Sequence, residues 1–392
     1  MARIRSLFAS LAGAALAFAM PLAARAQPTV AASVTGPPQL VYDSHTQGCD
    51  AHDIPDEVPH AFRDYRNMVH LVASNAVTRA MVGPTLDTVK QDCAHVLYRS
   101  LEDPDPAHFE DRNWLTSLFS IDGRRVMSLV HSEFDPWSLP GDRCPFKGTR
   151  KQMNCWWVTI TYALSNNGGY SFTEPPPPQN LVAAAPYTWK ADSNGPMGYR
   201  GPTNILQVGS FYYALINTFK FPGQGYGPCL IRTANLLDPK SWRAWDGADF
   251  TIQFIDPYVQ RGLPPDQHTC KAIIPGEVNA LAIDLASKRY VMILPAPDTR
   301  YRGDPGIYMA ASADLIHWSR PSLVITQSAL SAAEPRGRWS DVYDSILDPL
   351  STDRNFATVT ESPYLYYVRQ DLDHPPWVRA ILRRRMTLHV NG

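Results

Sequence analysis

Short apolar runs rich in β-branched and aromatic residues recur along the chain, separated by turns that contain Gly, Asn, Asp or Pro. Few stretches keep a helical period, so the pattern predicts a protein of strands and loops. Five pairs of runs fit a strand, a tight turn and a second strand. The predicted pairs are 59–64 with 68–74, 114–120 with 125–131, 203–208 with 211–216, 278–283 with 290–294, and 343–347 with 355–359.

A longer phrase occurs three times, at 162–172, 230–242 and 308–318: an apolar strand runs into Ser or Thr, a short polar turn and an aromatic residue. The copies are about 70 residues apart, which fits a four-stranded sheet module better than a helical repeat. If the five hairpins supply the inner strands, the phrases fall in outer strands. The sequence therefore predicts an all-β fold, a five-bladed β-propeller of four-stranded antiparallel blades.

The N-terminus has the order of a secretory signal. Two arginines near the start are followed by an apolar, Ala-rich stretch at 7–22 and a small-x-small sequence at 24–26. The apolar stretch is short and interrupted by Pro21, which argues against a membrane anchor. We expect residues 1–26 to be removed and residues 27–392 to form a single domain that is periplasmic or secreted.

The charges and cysteines narrow the class of partner and compartment. The net charge of −1 gives a nucleic-acid partner no electrostatic support, and we expect a monomer without membrane contact after signal cleavage. Six cysteines in an exported chain indicate disulfides. If neighbouring cysteines join long loops, the pairs are Cys49–Cys93, Cys144–Cys155 and Cys229–Cys270.

An acidic segment contains Asp103, Asp105, Glu110 and Asp111. Carboxylate oxygens are ligands that calcium prefers, so a structural calcium ion is one interpretation. The segment lacks EF-hand spacing, and a polar loop is the simpler one. We expect no other cofactor.

Two sequence phrases resemble a known group. Ser312-Ala313-Asp314-Leu315-Ile316-His317-Trp318 resembles the "S-x-D-L-x-x-W" blade phrase of the five-bladed β-propeller glycosidases, the arabinanase, β-xylosidase, levansucrase and invertase group. Arg200-Gly201-Pro202 followed by 209–213 resembles their third-blade "E-G-P … G-x-Y-Y". The resemblance implies a divergent, glycosidase-like propeller that acts on a carbohydrate.

In that group three carboxylates meet in the channel as base or nucleophile, pKa-tuning partner and acid, because one must stay protonated while another is ionised. The resemblance implies Asp56 as the base or nucleophile. Ser117 stands where the second-blade phrase has Asp, and Arg200 stands where the acid Glu is expected. Three explanations stay open: a different register, relocated acids, or a protein that is not a hydrolase of this type.

If propeller geometry holds, the ends of second strands reach the rim where first strands begin. His131 and Glu133 lie at such an end, and Glu133 is the best replacement for the missing acid. A solvated loop is the alternative. Predicted substrate contacts at the same rim are Arg79, His131, Arg200, Asn217 and Glu277, and Asp344 at the fifth hairpin is a third catalytic candidate.

The leading interpretation is an exported protein that cleaves a glycan by carboxylate acid/base chemistry. A non-catalytic carbohydrate-binding propeller is the first alternative, favoured by Ser117 and Arg200. The second is a polysaccharide lyase, in which His131 or a Tyr removes a proton and Arg200 binds a uronate carboxylate through its planar guanidinium.

Overall fold

The computed structural model describes residues 28–141, 143–295, 304–332, 338–373 and 378–391, so the predicted signal at 1–26 lies outside the described residues. The strands in its first half are β1 (Thr29–Asp43), β2 (His60–Arg63), β3 (Val69–Val72), β4 (Val77–Thr78), β5 (Met81–Gly83), β6 (Lys90–Gln91), β7 (Tyr98–Arg99), β8 (Arg112–Ser120), β9 (Val126–Phe134), β10 (Trp157–Ser165), β11 (Leu181–Ala183) and β12 (Met197–Arg200).

The strands in its second half are β13 (Leu206–Val208), β14 (Phe211–Thr218), β15 (Cys229–Thr233), β16 (Arg243–Ala244), β17 (Ala280–Asp284), β18 (Arg289–Pro295), β19 (Gly306–Ser312), β20 (Ser322–Thr326), β21 (Trp339–Leu347), β22 (Thr358–Val359), β23 (Tyr364–Asp371) and β24 (Arg379–Asn391). Short helices are α1 (Ser44–Gln47) and α2 (Gln327–Ser331), with 3₁₀ turns at Gln152–Cys155, Pro239–Ser241 and Pro265–His268. The all-β prediction is confirmed.

The strands are arranged in antiparallel groups of four. In chain order these groups are β2-β3-β5-β6, β8-β9-β10-β11, β13-β14-β15-β16, β17-β18-β19-β20 and β21-β23-β24-β1. The second and third groups are joined into one sheet by β12, which pairs with both β10 and β14. The last group takes its outer strand from the start of the chain, because β1 is hydrogen-bonded to β24.

Four of the predicted hairpins form, as β2/β3, β8/β9, β13/β14 and β17/β18. The fifth prediction was wrong in its second strand: β21 pairs with β23, whereas β22 runs parallel to β17. The Asp348 carboxylate explains the difference, since it accepts hydrogen bonds from the Thr360 amide and hydroxyl, each at 2.7 Å. These bonds fold 348–360 into a loop that delays the return strand.

Each of the three repeated phrases contains the end of a strand. The strands are β10, β15 and β19, which are the third strands of their groups. In each, a hydroxyl accepts a hydrogen bond from a backbone amide two to four residues later, at 2.9 Å for Ser165, 2.9 Å for Thr233 and 3.0 Å for Ser312. A short hydroxyl side chain can close a turn in this way. The phrase therefore recurs because the same turn recurs.

The groups contact one another in chain order, and the fifth contacts the first. Buried apolar clusters fill each of the five boundaries. Hydrogen bonds also link each innermost strand, or the segment leading into it, to the next: Ser120 to the Arg63 carbonyl, Ser117 to the Thr203 carbonyl, Asn204 to Leu281, Asn279 to Asp344, and Tyr343 to Asp56.

The three predicted disulfides, Cys49–Cys93, Cys144–Cys155 and Cys229–Cys270, are confirmed. They fasten the loops after β1 and β6, the loop before β10, and the start of β15. Within the described ranges, the helices are too short and too polar to cross a bilayer.

One buried ion pair in the fifth group gives a stability prediction. Arg369 Nε lies 2.8 Å from Asp341 Oδ1, and the two side chains are 3% and 0% exposed. Arg369→Met leaves a buried carboxylate without its cation, so we expect the free energy of unfolding to fall by about 3–5 kcal/mol in urea denaturation. Arg338→Met is the matched control, because its pair with Asp373 is exposed and its loss should leave the free energy of unfolding almost unchanged. Equal losses in both variants would contradict the prediction.

Candidate active site

Carboxyl and imidazole side chains from the first two strand groups and a tyrosine hydroxyl from the fifth lie close together near the start of β2 and the end of β9. Asp56 and Glu57 lie just before β2, and His131 and Glu133 lie near the end of β9. Tyr343 of β21 reaches the same place from the fifth group. The structure therefore brings together three of the predicted residues, Asp56, His131 and Glu133.

Glu57, His131 and Glu133 form a continuous line of side chains. His131 Nδ1 lies 2.8 Å from Glu57 Oε1, and His131 Nε2 lies 3.5 Å from Glu133 Oε1. Glu57 and His131 are both buried. The imidazole lies beside the Trp114 indole, with 5.8 Å between ring centroids. The contact with Glu57 and the packing against Trp114 thus restrict the orientation of the ring.

Asp56 has a hydrogen-bond donor and a cation beside its carboxyl. The Tyr343 hydroxyl donates to Asp56 Oδ1 at 3.1 Å, and Arg379 Nη1 donates to the same oxygen. Burial raises the pKa of Asp56, while the Arg379 charge and the Tyr343 hydroxyl oppose that rise. The two partners stabilise the ionised form, which a base or nucleophile requires.

Tyr343 adopts an uncommon backbone conformation. Its φ is +57°, in the left-handed region that bulky residues rarely enter. It lies where the β21–β23 register shifts between Val342 and Ser345. The Tyr343 hydroxyl that contacts Asp56 therefore comes from a bulged residue. Bulges that redirect a side chain are common beside active sites.

The pKa of Glu133 is also shifted by burial, but the charged neighbours of Glu133 are mainly acids. Burial raises its pKa well above the ordinary value, and the negative charges of Asp135, Asp56 and Glu57 raise it further. Arg112 Nη1 lies 3.9 Å from Asp135 Oδ2, so the nearby cation is paired with Asp135. Glu133 therefore stays protonated at pH values where an exposed glutamate is ionised.

Two further acids lie behind Glu133. The Asp135 amide donates to Asp111 Oδ2 at 2.7 Å, and burial raises the pKa of Asp135 to about 7 and that of Asp111 to about 6. The charge of Asp135 is a reason for Glu133 to keep its proton, because like charges in a poorly solvated site disfavour further ionisation.

Asp344 is buried on β21, next to Tyr343. Asn279 Nδ2 donates to Asp344 Oδ2 at 3.5 Å, and burial raises the pKa of Asp344 to about 8. This third catalytic candidate is therefore a neutral carboxyl at neutral pH. It joins the fourth and fifth groups.

Arg200 and Glu277 form an ion pair with each other. Arg200 Nη2 contacts Glu277 Oε1, and the Tyr226 hydroxyl donates to the same oxygen at 2.8 Å. The Arg200 guanidinium also lies 4.8 Å from the centroid of the Phe219 ring, which in turn contacts Trp156 at 5.3 Å. Trp156 opposes the rise in the pKa of Glu133, so Arg200, Phe219 and Trp156 lead up to the acid.

Arg79 and Asn217 have partners other than Asp56 and Glu133. Arg79 binds Asp50 at 2.8 Å and Asp53 at 2.7 Å. Asn217 donates to the Val278 carbonyl at 2.8 Å and accepts from its amide at 2.9 Å. These contacts hold chain segments in place, and the predicted role of both residues in substrate binding stays a prediction.

The acidic segment at 103–111 is stabilised by internal hydrogen bonds. Asp103 lies 2.9 Å from His108 Nδ1, and Asp105 accepts from the Ala107 amide at 2.9 Å. In the described part of the chain, no set of three or more His, Cys, Asp or Glu side chains is arranged to hold a metal ion. The polar-loop interpretation accounts for these contacts.

Sequence reasoning missed Glu57, Tyr343 and Arg379. Glu57 had a signal, since it is adjacent to Asp56 and two neighbouring acids before a first strand supply two carboxyls to one site. Arg379 comes from the last strand and Tyr343 from a bulge, and no local pattern connects either residue to position 56.

Solved structures similar to this chain include glycosidases. An alpha-L-arabinofuranosidase from Lactobacillus brevis has 12% identity and a TM-score of 0.47, with 86% of this chain and 92% of that chain covered. An alpha-L-arabinanase from Cellvibrio cellulosa has 11% identity and a TM-score of 0.43, with 86% and 92% covered. Fructan 1-exohydrolase IIa from Cichorium intybus has 11% identity and a TM-score of 0.45, with 88% of this chain and 57% of that chain covered. No protein-family model and no curated protein matches the sequence.

Proposed function

We propose that this protein is an exported glycoside hydrolase whose carboxyl groups cleave a glycan at the mouth of a propeller channel. The observation that carries the proposal is the pair Asp56 and Glu133: two neighbouring carboxyls, one beside a guanidinium and a hydroxyl and the other buried among acids. Burial raises the pKa of both carboxyls, but Arg379 and Tyr343 oppose the rise at Asp56, whereas further negative charges add to it at Glu133. Acid/base cleavage of a glycosidic bond requires two carboxyls whose pKa values are kept apart in this way.

The fold in this proposal is a five-bladed propeller spanning 27–392. Its support is the five groups of four strands, the apolar cluster at each boundary, and the closing pair β1 and β24. The three disulfides suit an oxidising compartment, periplasmic or extracellular.

In the proposed reaction Glu133 donates its proton to the leaving glycosidic oxygen as that bond breaks. Asp56 acts on the anomeric carbon, either directly as nucleophile or through a water molecule from which it removes a proton. Asp344, a neutral carboxyl nearby, acts as a hydrogen-bond donor rather than as a second base. Arg200 and Glu277 contact the glycan beside Trp156.

The pairing of Arg200 with Glu277 weighs against the lyase alternative. A lyase needs a cation to neutralise the uronate carboxylate while the neighbouring proton is removed. Here the Arg200 guanidinium already has a carboxylate partner within the protein. A uronate would have to displace Glu277 and leave that acid without its cation.

A glycan panel tests the proposal. Plant, microbial and uronate-containing polysaccharides are incubated with the mature protein, and both reducing ends and ultraviolet absorbance are recorded. New reducing ends without absorbance support hydrolysis. Absorbance from an unsaturated sugar would replace the proposal with the lyase alternative, and retained binding without either signal would replace it with the binding-module alternative.

A further inference from the structure

In the line of side chains Glu57, His131 and Glu133, one nitrogen of the imidazole ring lacks a hydrogen-bond partner among the described residues. His131 Nδ1 faces Glu57 at 2.8 Å, and His131 Nε2 is buried and has no hydrogen-bond partner among the described residues. The nearest carboxyl oxygen to Nε2 on that side is Glu133 Oε1 at 3.5 Å. A buried ring nitrogen that faces a carboxyl is a polar contact that tightens when a proton is shared between the two atoms.

The tautomer of His131 follows from the contact with Glu57. An ionised glutamate only accepts hydrogen bonds, so the imidazole proton lies on Nδ1. In the neutral ring, Nε2 then carries a lone pair and points toward Glu133. A protonated Glu133 supplies the donor that this lone pair lacks.

We propose that His131 and Glu133 share one proton, and that Glu57 holds the imidazole in the tautomer and orientation that make the sharing possible. This rests on the proposed role of Glu133 as the acid. When the proton is on Glu133, His131 is neutral. When it moves to Nε2, Glu133 is a carboxylate and His131 is an imidazolium between two carboxylates, so no proton is gained or lost. Glu57 and His131 are positioning residues.

The surrounding charges favour keeping this proton within the site. The titratable and charged groups that face the line come from four places in the fold: Asp56 before β2, Asp111 and Arg112 at the start of β8, Asp135 at the end of β9, and Tyr343 and Arg379 behind Asp56. Arg112 is paired with Asp135 and Arg379 with Asp56. Removal of the Glu57 charge should therefore lower the pKa of Glu133.

The test is the pH profile of kcat for Glu57→Gln. Glu57 is one of the charges that raise the pKa of Glu133. In the proposed mechanism, activity falls as the pH rises through that pKa. We expect the basic limb to move to lower pH by about 1 unit. His131→Asn keeps an amide donor toward Glu57 but removes the atom that faces Glu133, and we expect kcat to fall roughly 10–100-fold.

Glu361→Gln is the matched control, because this exposed glutamate lies outside the site. A purely structural role for Glu57 would lower the melting temperature and leave the profile unchanged. Profiles of Glu57→Gln and wild type that superimpose would overturn the proposal.

A measurement that needs no turnover separates this inference from the proposed function. In ¹⁵N-histidine NMR, the signal missing from His131→Asn identifies His131 among the 11 histidines. We expect a ring protonated on Nδ1 whose Nε2 shift changes in Glu133→Gln. A neutral ring protonated on Nε2 alone, or a spectrum unaffected by Glu133→Gln, would overturn the sharing. Absence of hydrolysis on every glycan, with the expected NMR result, would overturn only the role of Glu133 as an acid.

Discussion

Glu133→Gln is expected to lower kcat/KM by roughly 10²–10⁴-fold while the protein stays folded, because a positioned general acid contributes about that much. The amide has the shape of the protonated carboxyl but has no proton that it can transfer to the leaving oxygen. In the wild-type protein, activity should fall as the pH rises through the raised pKa of Glu133. The variant should lose that dependence.

The leaving group provides a sharp measurement of this role. A glycoside of an acidic phenol departs without protonation, so the defect of Glu133→Gln should shrink strongly on such a substrate. Glu361→Gln, with the same chemical change at an exposed position, should behave as wild type on both substrates. A defect that is equally large for acidic and ordinary leaving groups would remove Glu133 as the acid.

Asp56→Asn is expected to lower kcat by roughly 10²–10⁴-fold on every substrate, activated or not, because the group acting at the anomeric carbon is needed in both cases. The substitution also breaks the ion pair between Asp56 and Arg379. The Arg379 side chain is 9% exposed, so we expect a loss of stability of up to about 3–5 kcal/mol as well. Assays therefore need a temperature at which circular dichroism shows a folded protein.

Arg369→Met controls for that loss of stability. It breaks another buried arginine–aspartate pair, at Asp341, and should weaken the fold while leaving kcat unchanged. Azide added to Asp56→Ala gives a second readout, since a small anion can fill the vacated position and react in place of the carboxylate. Near-normal rates in Asp56→Asn would exclude Asp56 from the chemistry.

The fold was predictable from the sequence where the signal was local. Each of the first four hairpins lies within about 20 residues, and the alternation of apolar residues and turns indicates both strands. The fifth failed because the side chain of Asp348 holds a loop that looked like a strand. Hydrogen bonds from Thr360 to a carboxylate twelve residues earlier do not change the pattern of apolar and polar residues, so the sequence pattern does not reveal this loop.

The candidate site was predictable only in part, for a related reason. Asp56, His131 and Glu133 lie at strand ends whose position follows from the hairpins, whereas Arg379 is contributed by β24 and meets Asp56 only after the first and fifth groups have come together. Arg200 was expected beside a substrate carboxylate. The structure instead pairs it with Glu277, which the sequence predicts to be a separate substrate contact.

The pairing of β1 with β24 determines the order in which this protein can be completed. Thr29 pairs with Asn391 and Asp43 with Ala380, so β1 is synthesised long before the strand with which it pairs. Until β1 and β24 pair, one edge of β24 has no neighbouring strand. Arg379, which lies beside Asp56, belongs to β24. A chain truncated anywhere before β24 would lack both the closing strand and a charge of the candidate site, so an incomplete chain should be inactive as well as unstable.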